Sequence, residues 1–174
     1  MKRLPTVAVC GSAVIHSMGV EAMAEELGAA IIRNGMSLVT GGMGGVMEAA
    51  SRGAFHARLA GEGEGVVIGV LPGDSLVEAN SYCNVVIPTG MGIARNSIVV
   101  RSADAVVLVE GGSGTLSEAA FAWQFGKTVV ALVTSNGWAE RLGGQKLDER
   151  RQDQIYAVRT PGEAVALIQD ELDF

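Results

Sequence analysis

Ala105-Val106-Val107-Leu108-Val109-Glu110-Gly111-Gly112-Ser113-Gly114-Thr115-Leu116-Ser117-Glu118-Ala119-Ala120-Phe121-Ala122-Trp123 reads as a strand, a glycine turn and a helix in immediate succession. The five apolar residues at its start favour a buried strand. Gly111, Gly112 and Gly114 let the backbone turn sharply and approach a ligand with no side chain in the way. The first N–H groups of the following helix have no intrahelical acceptor, and they favour an anion, typically a phosphate. Glu118, four residues past Gly114, is out of place beside a phosphate unless it meets chemistry or a sugar hydroxyl. The junction therefore predicts a nucleotide or phosphosugar site with a candidate catalytic acid.

Working outward, the same unit recurs along the chain. Apolar, β-rich runs fall at Thr6–Cys10, Ser37–Thr40, Val66–Leu71, Asn84–Ile87, Val129–Val133 and Ile155–Val158, besides Ala105–Val109. Most are continuously apolar, as parallel strands covered on both faces require. Val20, Met23, Ala24, Leu27 and Ile31 carry the spacing of an amphipathic helix, which Gly35 stops. Thr160-Pro161-Gly162-Glu163 is a capping box with proline at the first helical position, and Val165, Leu167 and Ile168 follow on the buried side. Repeated βα units predict right-handed crossovers and an α/β fold: a doubly wound, mostly parallel sheet with helices on both faces. Gly61–Gly65 and Gly137–Gln154 read as surface loops, so residues 1–174 form one domain.

Composition narrows the function. With 48% hydrophobic residues the chain has ample material for a core, yet no apolar run reaches the ~20 residues of a membrane span. Met1–Pro5 enters the first strand pattern without a signal-peptide core. Cys10 and Cys83 form no CxxC pair, which fits a reduced, cytoplasmic protein. His16 and His56 are isolated, so no metal site is expected. A net charge of −6 without a basic cluster argues against nucleic-acid polymers. A small-molecule nucleotide or other phosphorylated ligand remains allowed, because backbone amides bind it without a basic surface.

In a doubly wound sheet, ligands bind beyond the carboxyl ends of the strands, and the glycines gather there. Gly11-Ser12 follows the first strand and Gly41-Gly42-Met43-Gly44-Gly45 the second. Pro72-Gly73 follows the third and Thr89-Gly90-Met91-Gly92 the fourth. Tight turns alone account for some of them. The familiar fingerprints fail: Met47 and Ser117 stand at the last glycine of two incomplete GxGxxG patterns, and Gly126-Lys127-Thr128 precedes a strand where a P-loop lysine opens a helix. Arg95 sits near the start of a predicted helix, where a cation opposes the dipole. It therefore has an anionic partner, either a carboxylate such as Glu118 or Glu48, or a ligand phosphate.

Thr89-Gly90-Met91-Gly92, Arg95-Asn96, Ala103-Asp104 and Gly111–Glu118 together resemble the Lonely Guy (LOG)-like superfamily of phosphoribohydrolases and molybdenum cofactor carriers. The hallmark of that group is PGGxGTxxE with an upstream arginine. Gly41–Ala49 and Gly69–Gly73 resemble its earlier loop and its third-strand segment, and the match runs from about Thr6 to Leu132. The resemblance implies a Rossmann-like fold and a homodimer or larger assembly, in which Trp123 and Phe125 either pack between subunits or fill the core. Asn96 follows Arg95 where the hydrolases have lysine, and Glu110 replaces the proline. The Thr89-Gly90-Met91-Gly92 and Arg95-Asn96 version looks closer to the carrier-like bacterial branch.

Two functions stay open under that resemblance. As a hydrolase, the protein would cleave the N-glycosidic bond of a nucleoside 5′-monophosphate through an oxocarbenium-like transition state. Glu118 would then be the catalytic carboxylate, and Arg95 would hold the phosphate or orient Glu118. The amides of Gly112, Ser113, Gly114 and Thr115 would bind phosphate, with the Thr115 hydroxyl capping the helix or adding a contact. Glu48 would meet ribose hydroxyls or solvent. As a carrier or sensor, the same loops would hold AMP, phosphate or molybdenum cofactor without turnover, and no resident cofactor is required. A lysine decarboxylase is excluded, since Lys2, Lys127 and Lys146 all lie away from the strand ends where pyridoxal phosphate would sit.

Overall fold

Strands β1 (Thr6–Gly11), β2 (Ser37–Thr40), β3 (Val67–Leu71), β4 (Val85–Pro88), β5 (Ala105–Val109), β6 (Thr128–Leu132) and β7 (Tyr156–Val158) lie within one residue of the apolar runs. The computed structural model describes residues 3–15 and 17–173. Expectations for Met1, Lys2 and His16 lie outside them. The strands form one parallel sheet in the order β4-β3-β2-β1-β5-β6-β7. The chain steps outward from β1 to β4 and then returns to the other side of β1 as β5. The winding direction reverses there, and the carboxyl ends of β1 and β5 flank the crevice where such sheets hold ligands.

Helices α1 (Met18–Arg33), α2 (Val46–Leu59) and α6 (Pro161–Leu172) cover one face. Helices α3 (Asn96–Arg101), α4 (Ser113–Gln124) and α5 (Gly137–Leu142) cover the other. α1 buries Val20, Ala24, Leu27 and Ile31, as its spacing requires. It ends as a Schellman motif: Gly35, at φ 73°, donates to the Ile32 carbonyl and Met36 to that of Ile31. At α6 the Thr160 hydroxyl accepts from the Glu163 amide. The Glu163 carboxylate reaches the Arg159 amide, one residue before the cap, so the box closes a residue early.

One expectation changes, one alternative is settled, and one connection is shorter than a helix. Gly137–Gln154 is not wholly loop, because its start folds as α5 with Ala139 and Leu142 buried. Two apolar residues three apart are too few to register as a period. Trp123 is 1% exposed and donates its indole N–H to Asp148, so it fills this chain's own core and is not available to another subunit. The β3–β4 crossover holds only a one-turn 3-10 segment, Leu76–Glu78. Edge strand β4 is consequently left open, with Val85 and Ile87 exposed. Among the described residues, no helix is long and apolar enough to cross a membrane, and no group of His, Cys, Asp and Glu is placed to hold a metal.

Candidate functional site

A cleft of about 480 Å³ opens at the reversal point. Its floor is Val9 and Cys10 at the end of β1; its walls are the β1–α1 loop, Met43 and Met47 at the start of α2, the 3-10 turn Gly92–Arg95, and the start of α4. The expected residues that line it are Gly11, Ser12, Met43, Arg95, Asn96, Gly112, Ser113, Gly114, Thr115 and Glu118. Its volume suits a nucleotide-sized ligand.

Helix α4 begins at Gly112 without a side-chain cap. The expectation that Thr115 caps it does not hold. The Thr115 side chain lies instead over Gly111 (φ 99°), where a Cβ would stand 2.4 Å from it. Leu116 is the first amide of the helix to find an acceptor, at the Gly112 carbonyl. The amides of Ser113, Gly114 and Thr115 are therefore left to whatever enters the cleft. The Gly111 amide is spent differently, on the Ser12 hydroxyl at 3.2 Å, which ties the β5 turn to the β1 loop.

Arg95 is 7% exposed. Its Nη1 donates to Asn96 Oδ1, and its Nε is buried without a partner. No ion pair within 4.0 Å joins it to Glu118 or Glu48 among the described residues, so neither carboxylate proposed from the sequence is its mate. Asn96 holds the arginine in place from the other side. Its Nδ2 donates to Ser117 Oγ at 2.9 Å, and Ser117 in turn donates to the Gly114 carbonyl at 2.6 Å. Nη2 of Arg95 passes so close to Gly41 that a Cβ there would stand 2.6 Å from it.

Glu118 lies one turn into α4, 6% exposed, facing the sheet beside Thr115, Ala119 and Ala122. Burial pushes its carboxyl up to about 7, against the pull of Arg95 and of a hydrogen bond from Cys10. Burial also raises the Cys10 thiol well above its ordinary range, so it stays protonated and serves as a donor. Cys10 was missed in the sequence. Its signal was available: it is the next-to-last residue of β1, in register with Leu108, on the α4 side of the sheet, near the strand end where ligands sit.

The other expected residues do not line the cleft. Gly42 packs on Gly69 and Leu71, and Gly45 against the carbonyls of Ser12 and Ala13. Gly44 and Glu48 lie beside each other at the start of α2. The Thr89 hydroxyl donates to the Leu71 carbonyl at 2.7 Å, the Gly90 amide to Gly73, and the Gly92 amide to Pro72. Pro72, Thr89 and Gly90 thus brace the turn that carries Arg95. Glu110 takes a φ of 54°, with its amide on Ser135 and its carbonyl on Ala139, and its carboxylate is no part of the cleft. Sequence reading also passed over Ala13, Val14, Met47 and Ile93, which add apolar surface at the mouth and walls.

The model of the SLOG cluster4 family matches residues 4–165. The chain belongs to that family. This agrees with the LOG-like resemblance carried by Arg95 and Gly111–Glu118. An uncharacterized protein of Archaeoglobus fulgidus is 42% identical over 110 residues, 63% of this chain and 68% of its own length. The molybdenum cofactor binding protein of Rippkaea orientalis is 32% identical, with a TM-score of 0.84 and 99% of each chain covered. The molybdenum cofactor carrier protein of Chlamydomonas reinhardtii is also 32% identical, with a TM-score of 0.82 and coverage of 99% of this chain and all of its own. These neighbours lie on the carrier side of the two functions weighed from the sequence.

Proposed function

We propose that this protein is a carrier that holds a phosphorylated small molecule, of the molybdenum cofactor kind, without turning it over. One observation carries the reading: the uncapped start of α4 and Arg95, whose buried Nε has no partner, line the same cleft. A phosphate there would take the amides of Ser113–Thr115 and the free guanidinium N–H together. Charge-assisted bonds of this kind are about twice as strong as neutral ones. The apolar side chains of Val14, Met43, Met47 and Ile93 suit the flat ring of a pterin. The two molybdenum cofactor proteins, alike over nearly the whole chain, support that choice of ring.

Burial holds the Glu118 carboxyl at about 7. That value is less suited to the ionised carboxylate that stabilises an oxocarbenium ion but is compatible with a general acid, so Glu118 does not by itself choose between carrier and hydrolase. Asn96 stands where the hydrolases have a second cation, and here it holds Arg95.

The test has two arms. Molybdenum cofactor released from a denatured molybdoenzyme is mixed with the protein, which is gel-filtered, oxidised and read for pterin fluorescence. A panel of nucleoside 5′-monophosphates is incubated with the same protein and assayed for free base. Retained pterin in wild type, lost in Arg95→Ala, with no base released over hours, is the expected result. Base release that disappears in Glu118→Gln would replace the carrier by a hydrolase.

A further inference from the structure

Glu118 sits where an anion-binding cleft has least use for a negative charge. Its carboxyl is 6% exposed and lines the same cleft as the amides of Ser113–Thr115. No ion pair within 4.0 Å reaches it among the described residues. β1 contributes the Cys10 thiol, a neutral donor, and the turn before α3 contributes Arg95. β5 and β6 present no titratable side chain. Arg101, at the far end of α3, lies over the Phe125 ring, and on α5 Arg141 lies over Trp138 with Glu140 beside it in sequence. Of these only Arg95 and the Cys10 thiol pull toward the ionised form, and burial outweighs both.

We propose that the cleft takes up its phosphorylated ligand together with one proton, carried by Glu118, so that a neutral carboxyl donates a hydrogen bond where an ionised one would repel. This rests on the reading of the cleft as a phosphate site. Burial already lifts the carboxyl to about 7 in the empty cleft. A phosphate brought against it in a low dielectric lifts it further, since a like charge disfavours the ionised form. Proton and ligand then help each other by the same factor. Loading is favoured on the acid side of neutrality and release on the alkaline side, with no movement of the backbone.

The probes are AMP and inorganic phosphate, titrated calorimetrically from about pH 6 to about pH 9 in two buffers of different ionisation enthalpy. Above about pH 8 both probes are dianions, because their second pKa is ~6–7, so proton uptake there belongs to the protein. Wild type is expected to take up close to one proton near the upper end of the range, with affinity falling about tenfold per pH unit. Glu118→Gln is expected to take up none and to keep its affinity level. Cys10→Ala keeps the carboxyl and removes its thiol donor, so the pH at which affinity begins to fall moves upward. Equal proton uptake in wild type and Glu118→Gln, or an unmoved Cys10→Ala profile, overturns the inference while leaving the phosphate site standing. Absence of binding by wild type at the acid end overturns both.

Discussion

Gly41→Ala tests the placement of Arg95 without touching Arg95. An alanine Cβ at this position would stand 2.6 Å from Arg95 Nη2 and 2.6 Å from Met47 Sδ. Non-bonded heavy atoms are comfortable at about 3.5–4.0 Å, so both neighbours must withdraw by about 1 Å. Each is the far end of a flexible side chain, so the fold itself gives little, and overpacking of this kind costs about 1 kcal/mol. The guanidinium, however, leaves the place where Asn96 holds it beside the cleft. A charge-assisted contact is worth ~1.5–3 kcal/mol, so AMP should bind roughly ten- to a hundredfold more weakly. Adenosine, which lacks the phosphate, should lose little. Calorimetric titration of both ligands, with thermal unfolding alongside, reads the three quantities separately. Equal losses for AMP and adenosine, or an AMP affinity that survives in Gly41→Ala but not in Arg95→Ala, would refute the assignment.

Two further outcomes concern stability. Glu118 has a native carboxyl raised from 4.5 to about 7 by burial. Above that value both folded and unfolded chains are ionised and the fold bears the full burial cost; as pH falls from about 7 toward 4.5 the native chain takes up the proton first, and wild type gains stability relative to Glu118→Gln by roughly 3 kcal/mol. Thermal melts of the pair between about pH 4.5 and pH 8 should therefore differ by ~6–12 °C more at the alkaline end than at the acid end, and parallel curves would show that the carboxyl is not buried as described. Gly53→Ala places a Cβ 1.8 Å from the Glu25 carbonyl of α1, which is backbone and cannot swing aside. Separating α1 from α2 costs ~1–3 kcal/mol or more, beyond the ~1 kcal/mol that alanine adds as a helix former, so a melting temperature at or above that of wild type would sink the close-packing account.

The sheet was legible because its signal is local and redundant. Seven apolar runs located the strands to within one residue. α5 was not legible, since its buried face is only Ala139 and Leu142. Within the cleft, the helix stripe Thr115, Glu118, Ala119, Ala122 and Trp123 already places Glu118 on the buried side, and that same burial sets its protonation. What the sequence could not supply was pairing. Arg95 had carboxylates to choose from at 48 and 118, and only the three-dimensional path showed it taken by Asn96. Cys10 was passed over because a lone cysteine in a strand looks like core until its neighbour across the cleft is known.

Glycines at the strand ends read as one group in the sequence, yet they do two separate jobs in the fold. Gly112 and Gly114 line the cleft and clear the approach to the α4 amides. Gly41, Gly42 and Gly45 stand behind it and make room for other parts of the protein: the Arg95 guanidinium, β3 with Leu71, and the Ser12–Ala13 backbone. Pro72, Thr89 and Gly90 belong with this second group, since their hydrogen bonds hold the turn that delivers Arg95. The division has a physical basis. A ligand site at a sheet reversal needs a few atoms exposed to the ligand, and many more to keep those atoms still when the cleft is empty. It also explains how a binding protein can keep the arginine and glycine loops of a hydrolase. The bracing residues are indifferent to turnover, so under the carrier reading proposed above the chemistry rests on the side chains at 96 and 118. Here the first is spent holding a cation, and the second is a buried acid that gives up its charge near neutrality.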